Sequence, residues 1–330
     1  MSPFNTRFVS GSLACTLVLL VSFATSEASA YCRMTTEGGA QVGNQPCVER
    51  GEPLIWNVPC LSYAIDSRGS EWMTDQDIET AVNAGFAVWE TADCGEDETP
   101  NLVFKPSQEP STCKRAEFNN DGNVNTVAFL DPWVDPCADD GAPGYEPLAF
   151  AVTIVWLNTE TGEMLDADMM INDTQATQRN AGGPYAQCPD SGCLGNDADL
   201  QSIIAHEAGH FIGIGHSPVE EATMFASAER SSVAKRTLAE DDIEAVCEIY
   251  PPGGLDDSCD ATPMRGLQLN CEVTEEGNPI ACDAPGNAPS QGGCACSTAQ
   301  TPVGTLWATI GVLFGLSVMR RRSGRRDARS

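Results

Sequence analysis

Between residues 54 and 252 the apolar and polar positions form a readable series of elements. "CLSYAID" (60–66) alternates as a half-buried strand does. "MTDQDIETAVNAGFAVWETA" (73–92) has a helical period instead. Ile78, Val82, Phe86, Ala87 and Trp89 share one face, Thr74 suits the N-cap, and Asp77 follows three residues later. "NLVFKP" (101–106) and "NTVAFL" (125–130) read as strands, each followed by a polar loop, 107–125 and 131–146. "LAFAVTIVWLN" (148–158) is a long β-branched and aromatic strand. The turn "TETGE" separates it from a fifth strand, "MLDADMMIND" (164–173). An irregular Gly- and Cys-containing loop covers 174–198. A helix then begins near Asp197–Asp199, and a last helix runs from about Leu238 to Tyr250, ended by Pro251-Pro252.

The chain has only three histidines, His206, His210 and His216, and all lie in "IIAHEAGHFIGIGHS" (203–217). A helix turns about 100° per residue, so His206 and His210, four apart, present two imidazoles to one point. Glu207 sits one residue on, within reach of a water held there. This is the HExxH arrangement of zinc hydrolases. Gly213 can adopt positive φ, end the helix and let the chain return with His216. Three neutral imidazoles and a water make a tetrahedral Zn²⁺ site with one open position. Adding Gly213 and His216 to HExxH makes an accidental match about 400-fold rarer.

Charge and cysteine usage define the setting. Eighteen Lys and Arg face 47 Asp and Glu, for a net charge of −29. Six of the eighteen (Arg320, Arg321, Arg322, Arg325, Arg326 and Arg329) lie at the C-terminus, so the body is more acidic still. Such a surface repels nucleic acid and anionic lipid. It suits either a soluble secreted protein or one with a cation-rich partner or bound Ca²⁺. Residues 1–30 have the make-up of a signal peptide: Arg7, an apolar core from Leu13 to Ala24, and Ala28-Ser29-Ala30. After it come fourteen cysteines without zinc-ribbon spacing, which predicts disulfides. Nine fall between 32 and 247, an odd number, so at least one crosses to the downstream segment or stays free. Residues 31–53 form a Gly-rich N-terminal segment with two cysteines. Residues 253–300, rich in Cys, Gly and Pro, are expected to be a stalk. Val303–Met319 is uncharged and near the lower limit for a spanning helix, with the arginine cluster behind it. The tail, 301–330, is the one expected membrane contact.

"HEAGHFIGIGHS" resembles HExxHxxGxxH, the signature of the metzincin metalloendopeptidases. Met224 in "EATMFAS" is similar to the Met-turn of that clan, which packs beneath the metal. Ser217 after His216, and "LAEDDIEAVCEIY", resemble the matrixins. Ala226 stands where the astacin and serralysin branches carry a tyrosine ligand. The resemblance covers roughly residues 54–252. It implies an α+β fold: a twisted, mostly parallel five-stranded sheet with an antiparallel edge strand, an active-site helix and a C-terminal helix. It implies one catalytic Zn²⁺ on His206, His210 and His216, with Glu207 as general base and acid, and a protein or peptide as substrate. An extended substrate would add to the edge strand near 148–156, with one side chain entering between the active-site helix and the segment after Met224. Arg230, Lys235 and Arg236 follow Met224, either favouring acidic substrates or forming a solvated loop.

The sequence also departs from animal matrixins. Phe150 and Asp168 stand where they carry ligands of a structural zinc, so a second zinc is not expected. A Ca²⁺ site using Asp166, Asp168 or loop carboxylates would replace it, unless these are simply solvated carboxylates. The PRCGxxD latency segment is missing, and Cys32, Cys47 and Cys60 are expected in disulfides rather than on zinc. The C-terminal tail resembles the MYXO-CTERM class of bacterial sorting tails, which implies a protein at the cell surface or released. The expectation is a monomeric, exported zinc metalloendopeptidase. The rivals are a non-catalytic adhesion or binding module on a metzincin scaffold and a metal-dependent hydrolase of a non-peptide bond.

Overall fold

The computed structural model describes residues 31–37, 47, 50–113, 115–118, 122–134, 145–253, 259–264 and 266–270, and the backbone of 294–300. The expected signal peptide, 1–30, and tail, 301–330, lie outside the described residues. The elements in chain order are β1 (Cys60–Ile65), α1 (Asp75–Glu90), β2 (Val103–Pro106), β3 (Thr126–Leu130), β4 (Ala149–Leu157), β5 (Met164–Asn172), β6 (Tyr185–Ala186), β7 (Ala198–Asp199), α2 (Leu200–Phe211), β8 (Ser227–Ala228), α3 (Glu240–Ile249) and β9 (Cys294–Gln300). All five predicted strands and all three predicted helices form at the expected places.

The helix starts follow from their caps. The Thr74 hydroxyl accepts the Asp77 N–H, and the Asp199 carboxylate accepts the Ser202 N–H. At α3 the residue before the helix is Ala239, which has no polar side chain. Asp242 reaches back instead and accepts the Ala239 N–H at 2.8 Å.

The five predicted strands form one unit in the order β2-β1-β3-β5-β4, in which only β4 runs antiparallel. This is the α+β architecture expected. α1 and α2 cover one face and enclose the main core, built around Tyr63, Phe86, Trp89, Phe104 and Phe211. Phe86 stacks on Tyr63 at 4.2 Å and meets Phe211 edge-on at 5.2 Å. α1 lies against α2 closely enough that Trp89 Nε1 donates to the Ala205 carbonyl at 2.8 Å. Gly85 permits that approach, because a Cβ there would lie 2.5 Å from Ile204 Cγ2.

Four disulfides join described residues. Cys60–Cys259 and Cys94–Cys247 span 199 and 153 residues, while Cys32–Cys47 and Cys188–Cys193 are local. In the chain-entropy account each long closure stabilises by on the order of 5 kcal/mol. Cys60–Cys259 is the crossing that the odd cysteine count anticipates. None of Cys32, Cys47 and Cys60 is a thiolate at the metal centre.

Two features differ from the sequence reading. The segment expected to be a stalk returns to the domain: Gln268 N–H donates to Asn123 O at 3.0 Å, and Thr112 N–H to Leu269 O at 2.9 Å. Its last residues, β9, then add to β4 antiparallel and to β8 parallel, so β4 is not a free edge. Alternation missed β9 because "CACSTAQ" has no large apolar residue; its pairing is made by backbone. Among the described residues no helix is long and apolar enough to cross a membrane. The expected span, Val303–Met319, lies outside them.

Candidate metal centre

α2 is buried on nearly every side, and His206, Glu207 and His210 have no exposed surface. Its C-terminal carbonyls account for the turn that follows. Trp56 Nε1 donates to Phe211 O at 2.7 Å, the Tyr250 hydroxyl to Ile212 O at 3.0 Å, and Met34 N–H to Gly213 O at 2.9 Å. Each is an orphan acceptor of a helix end and its turn, satisfied from a distant segment. Gly213 has φ +87°, as the return of the chain requires, and a Cβ there would press on Leu54 O at 2.8 Å. Gly215 N–H donates to Cys32 O at 2.7 Å. The N-terminal segment therefore clamps the turn that delivers His216.

The three imidazoles converge. One ligand atom from each lies within 4.8 Å of the others, and the ring centroids are 4.9, 5.2 and 4.8 Å apart. His210 Nε2 and His216 Nε2 are 3.2 Å apart. His206 Nδ1 lies 2.6 Å from Thr223 O, and His210 Nδ1 lies 2.8 Å from Ile214 O. A carbonyl only accepts, so each Nδ1 carries the proton and each Nε2 offers a lone pair. Burial, and then the neighbouring positive groups, hold His206 and His210 well below the usual imidazole range, in the neutral ligating form. His206 Nε2 is buried with no hydrogen-bond partner. A fully buried acceptor is costly without a partner. A cation at the convergence point supplies one, and three neutral nitrogens are the donor set of zinc.

Glu207 faces β4, where the Thr153 hydroxyl donates to its Oε2 at 2.7 Å. Thr153 is the one hydroxyl in an otherwise apolar strand, and that contrast was the sequence signal for it. Met224 is buried below α2, and a Cβ on Gly209 would overlap its sulfur, so the Met-turn fits only because residue 209 is glycine. The turn is held by Asp242, whose carboxylate accepts Thr223 N–H at 2.7 Å and Met224 N–H at 3.0 Å. Ser217 N–H closes it on Met224 O at 2.9 Å. The structure brings the predicted site residues together: His206, His210 and His216 converge, with Glu207 beside them, Met224 beneath and Gly213 at the turn. Sequence reading missed Thr153, Thr223 and Asp242.

The basic residues after Met224 serve neither of the expected purposes. Arg230 donates to the carbonyls of Asn196, Ala181, Gly182 and Pro184, with its guanidinium 5.3 Å over the Phe150 ring. Lys235 Nζ donates to Thr223 O at 2.7 Å and to Phe225 O. Burial pushes its pKa down to about 7, against the opposing pull of Asp242 and Glu207. Arg236 pairs with Asp199 at 2.5 Å and bonds Cys188 O at 2.7 Å. All three are internal fasteners rather than a solvated loop or an acid-binding patch. Asp166 and Asp168 are not solvated either. Both are buried, and Asp168 accepts N–H from Thr126 and Glu117 at 2.7 and 2.8 Å. Phe150, where a structural-zinc ligand stands in animal matrixins, packs under Arg230 instead.

This sheet order, with the active-site helix, the glycine turn, the third histidine and the methionine beneath, defines a metzincin-type α+β protein. Within that class, residues 55–251 match the matrixin family, and the chain belongs to it. The chain is similar to three Arabidopsis thaliana metalloendoproteinases. It is 25% identical to 1-MMP over 203 residues, 61% of this chain and 46% of that protein. It is 40% identical to 5-MMP over 70 residues, 21% of this chain and 19% of that protein. It is also 40% identical to 2-MMP over 52 residues, 16% of this chain and 14% of that protein. The chain therefore spans less than half the length of these relatives.

Proposed function

We propose that the protein is a zinc-dependent endopeptidase that hydrolyses peptide bonds within proteins or unfolded chains. The observation that carries the reading is the set of three convergent imidazoles, one with an orphaned Nε2, beside a buried carboxylate. Bound zinc supplies the Lewis acidity that acidifies a water and polarises a carbonyl. The chain's own residues do the rest. Thr223 O and Ile214 O hold His206 and His210 in the Nδ1–H form. Glu207 takes the proton from the attacking water on a carboxylate oxygen and returns it to the leaving nitrogen. Thr153 fixes that carboxylate through Oε2. The peptide lies extended along β4, where backbone pairing supplies affinity without demanding a sequence. The intact base is what disfavours a purely adhesive role on the same scaffold.

We further propose that the chain is exported by residues 1–30, reaches membrane only through its tail and works as a monomer at the surface or outside the cell. One zinc is required. Calcium enters the proposal only at Asp166, whose Oδ2 is buried without a partner; unchanged thermal unfolding on adding calcium would remove it. The central test compares the wild type with Glu207→Gln on an unfolded protein substrate. We expect one zinc per chain in both, and cleavage slowed by about 10²–10⁴-fold in the variant. Cleavage unaffected by Glu207→Gln would defeat the assignment.

A further inference from the structure

The place where a peptide substrate should lie is already filled. β9 pairs antiparallel with β4 from Val155–Cys294 to Ala149–Ala299, and parallel with β8 through Ser227–Ala299 and Ala228–Gln300. β8 begins three residues after Met224, so β9 runs between the edge strand and the segment after the Met-turn, in contact with α2. Its register is informative: Cys296 is opposite Thr153, the residue that bonds Glu207. The centre beneath is closed. His206, Glu207 and His210 have no exposed surface and His216 only 5%, although a base and ligand set of this kind must meet a peptide bond. The segment is also suited to the position, since "CACSTAQ" carries no charge in a chain of net −29 and pairs through its backbone on both sides.

We propose that residues 294–300 are an internal occupant of the substrate cleft, held as an added strand, and that they must leave before another peptide can bind. The proposal rests on the endopeptidase reading above for what the cleft is for, but the occupancy is testable without activity. The occupant competes with substrate, so the apparent affinity for substrate falls by the fraction of time the cleft is open.

The test uses the full chain loaded with zinc, beside the double variant Ala295→Pro/Thr298→Pro. The two positions have opposite parity along β9, so at least one proline removes an N–H directed at β4. Amide exchange is followed by mass spectrometry over 149–155 and 294–300, and initial rates are measured on an unfolded protein substrate. The expected result is slow exchange of both segments in the wild type and fast exchange of both in the variant. KM for the substrate falls by about tenfold at equal zinc content, with kcat unchanged, as for a cleft open one-tenth of the time. A synthetic peptide of residues 294–300, added to the variant, should restore slow exchange of 149–155; this also shows that the variant is folded. Exchange of 294–300 at the free-peptide rate in the wild type, with the prolines leaving KM unchanged, would overturn the proposal. Protected segments in a chain that cleaves nothing would leave the occupancy standing and remove the endopeptidase reading instead.

Discussion

Gly85→Ala adds one methyl group where α1 crosses α2. The new Cβ would sit 2.5 Å from Ile204 Cγ2, 2.7 Å from Ile204 Cβ and 2.9 Å from Ala205 N. Non-bonded carbons rest at about 3.5–4.0 Å, so roughly 1 Å must be found. Ile204 is fully buried and Ala205 N is backbone, so no flexible tip can swing aside. The helices must part. Overpacking of this kind costs about 1–3 kcal/mol. Against it stands the gain from replacing a helical glycine with alanine, about 0.5–1 kcal/mol. The expected net is a destabilisation of about 1–2 kcal/mol, which lowers the melting midpoint by about 2–8 °C. A second effect follows from position. α2 carries His206 and His210, whereas His216 stands on a segment clamped separately by residues 32–34. Moving α2 spoils the convergence, so zinc should stabilise the variant less than the wild type. Urea unfolding with and without zinc measures both quantities. Gly85→Ala at or above wild-type stability would refute the reasoning, because the propensity gain would then be unopposed.

Three further outcomes are expected. Asp242→Ala strands the N–H groups of Thr223 and Met224; a loss of about 2–4 kcal/mol in urea unfolding is expected, with weaker zinc binding by titration because Thr223 O orients His206. Burial, and for Asp166 also the charge of Asp168, raises both carboxyls well above the usual carboxylate range. A raised folded-state pKa means stability is lost as pH rises from about 4 through that value. Asp166→Asn should therefore raise the melting midpoint at pH 7 in the absence of calcium, by about 2–4 °C per kcal/mol of relieved repulsion, and the gain should vanish on acidification. A gain that instead grows toward low pH would show the sign to be wrong. Removing zinc with a chelator should abolish cleavage while leaving the disulfide-tied fold intact by circular dichroism; restored cleavage on adding zinc checks it.

What the sequence determined by itself was whatever short-range geometry dictates. Helical spacing puts His206, Glu207 and His210 on one stretch of α2. Gly213 alone provides the positive φ of the return, and Thr74 and Asp199 cap their helices by hydroxyl and carboxylate. Alternation marked β1, and short apolar, β-branched and aromatic runs between turn residues marked the other four strands, of which β3, β4 and β5 are buried along nearly their whole length. Tertiary structure decided everything that depends on a partner far along the chain. Which carbonyls fix the imidazole tautomers, that Asp242 holds the Met-turn, and that Thr153 meets Glu207 follow from pairings across many residues that no local spacing encodes. The same holds for Arg230, Lys235 and Arg236. A basic residue reads as exposed in sequence, and only the surrounding carbonyls and Asp199 show Arg230 and Lys235 buried, Arg236 half-buried, and all three bonded. It holds most of all for β9, whose backbone pairing with β4 is indifferent to side chains and so leaves no mark in the sequence.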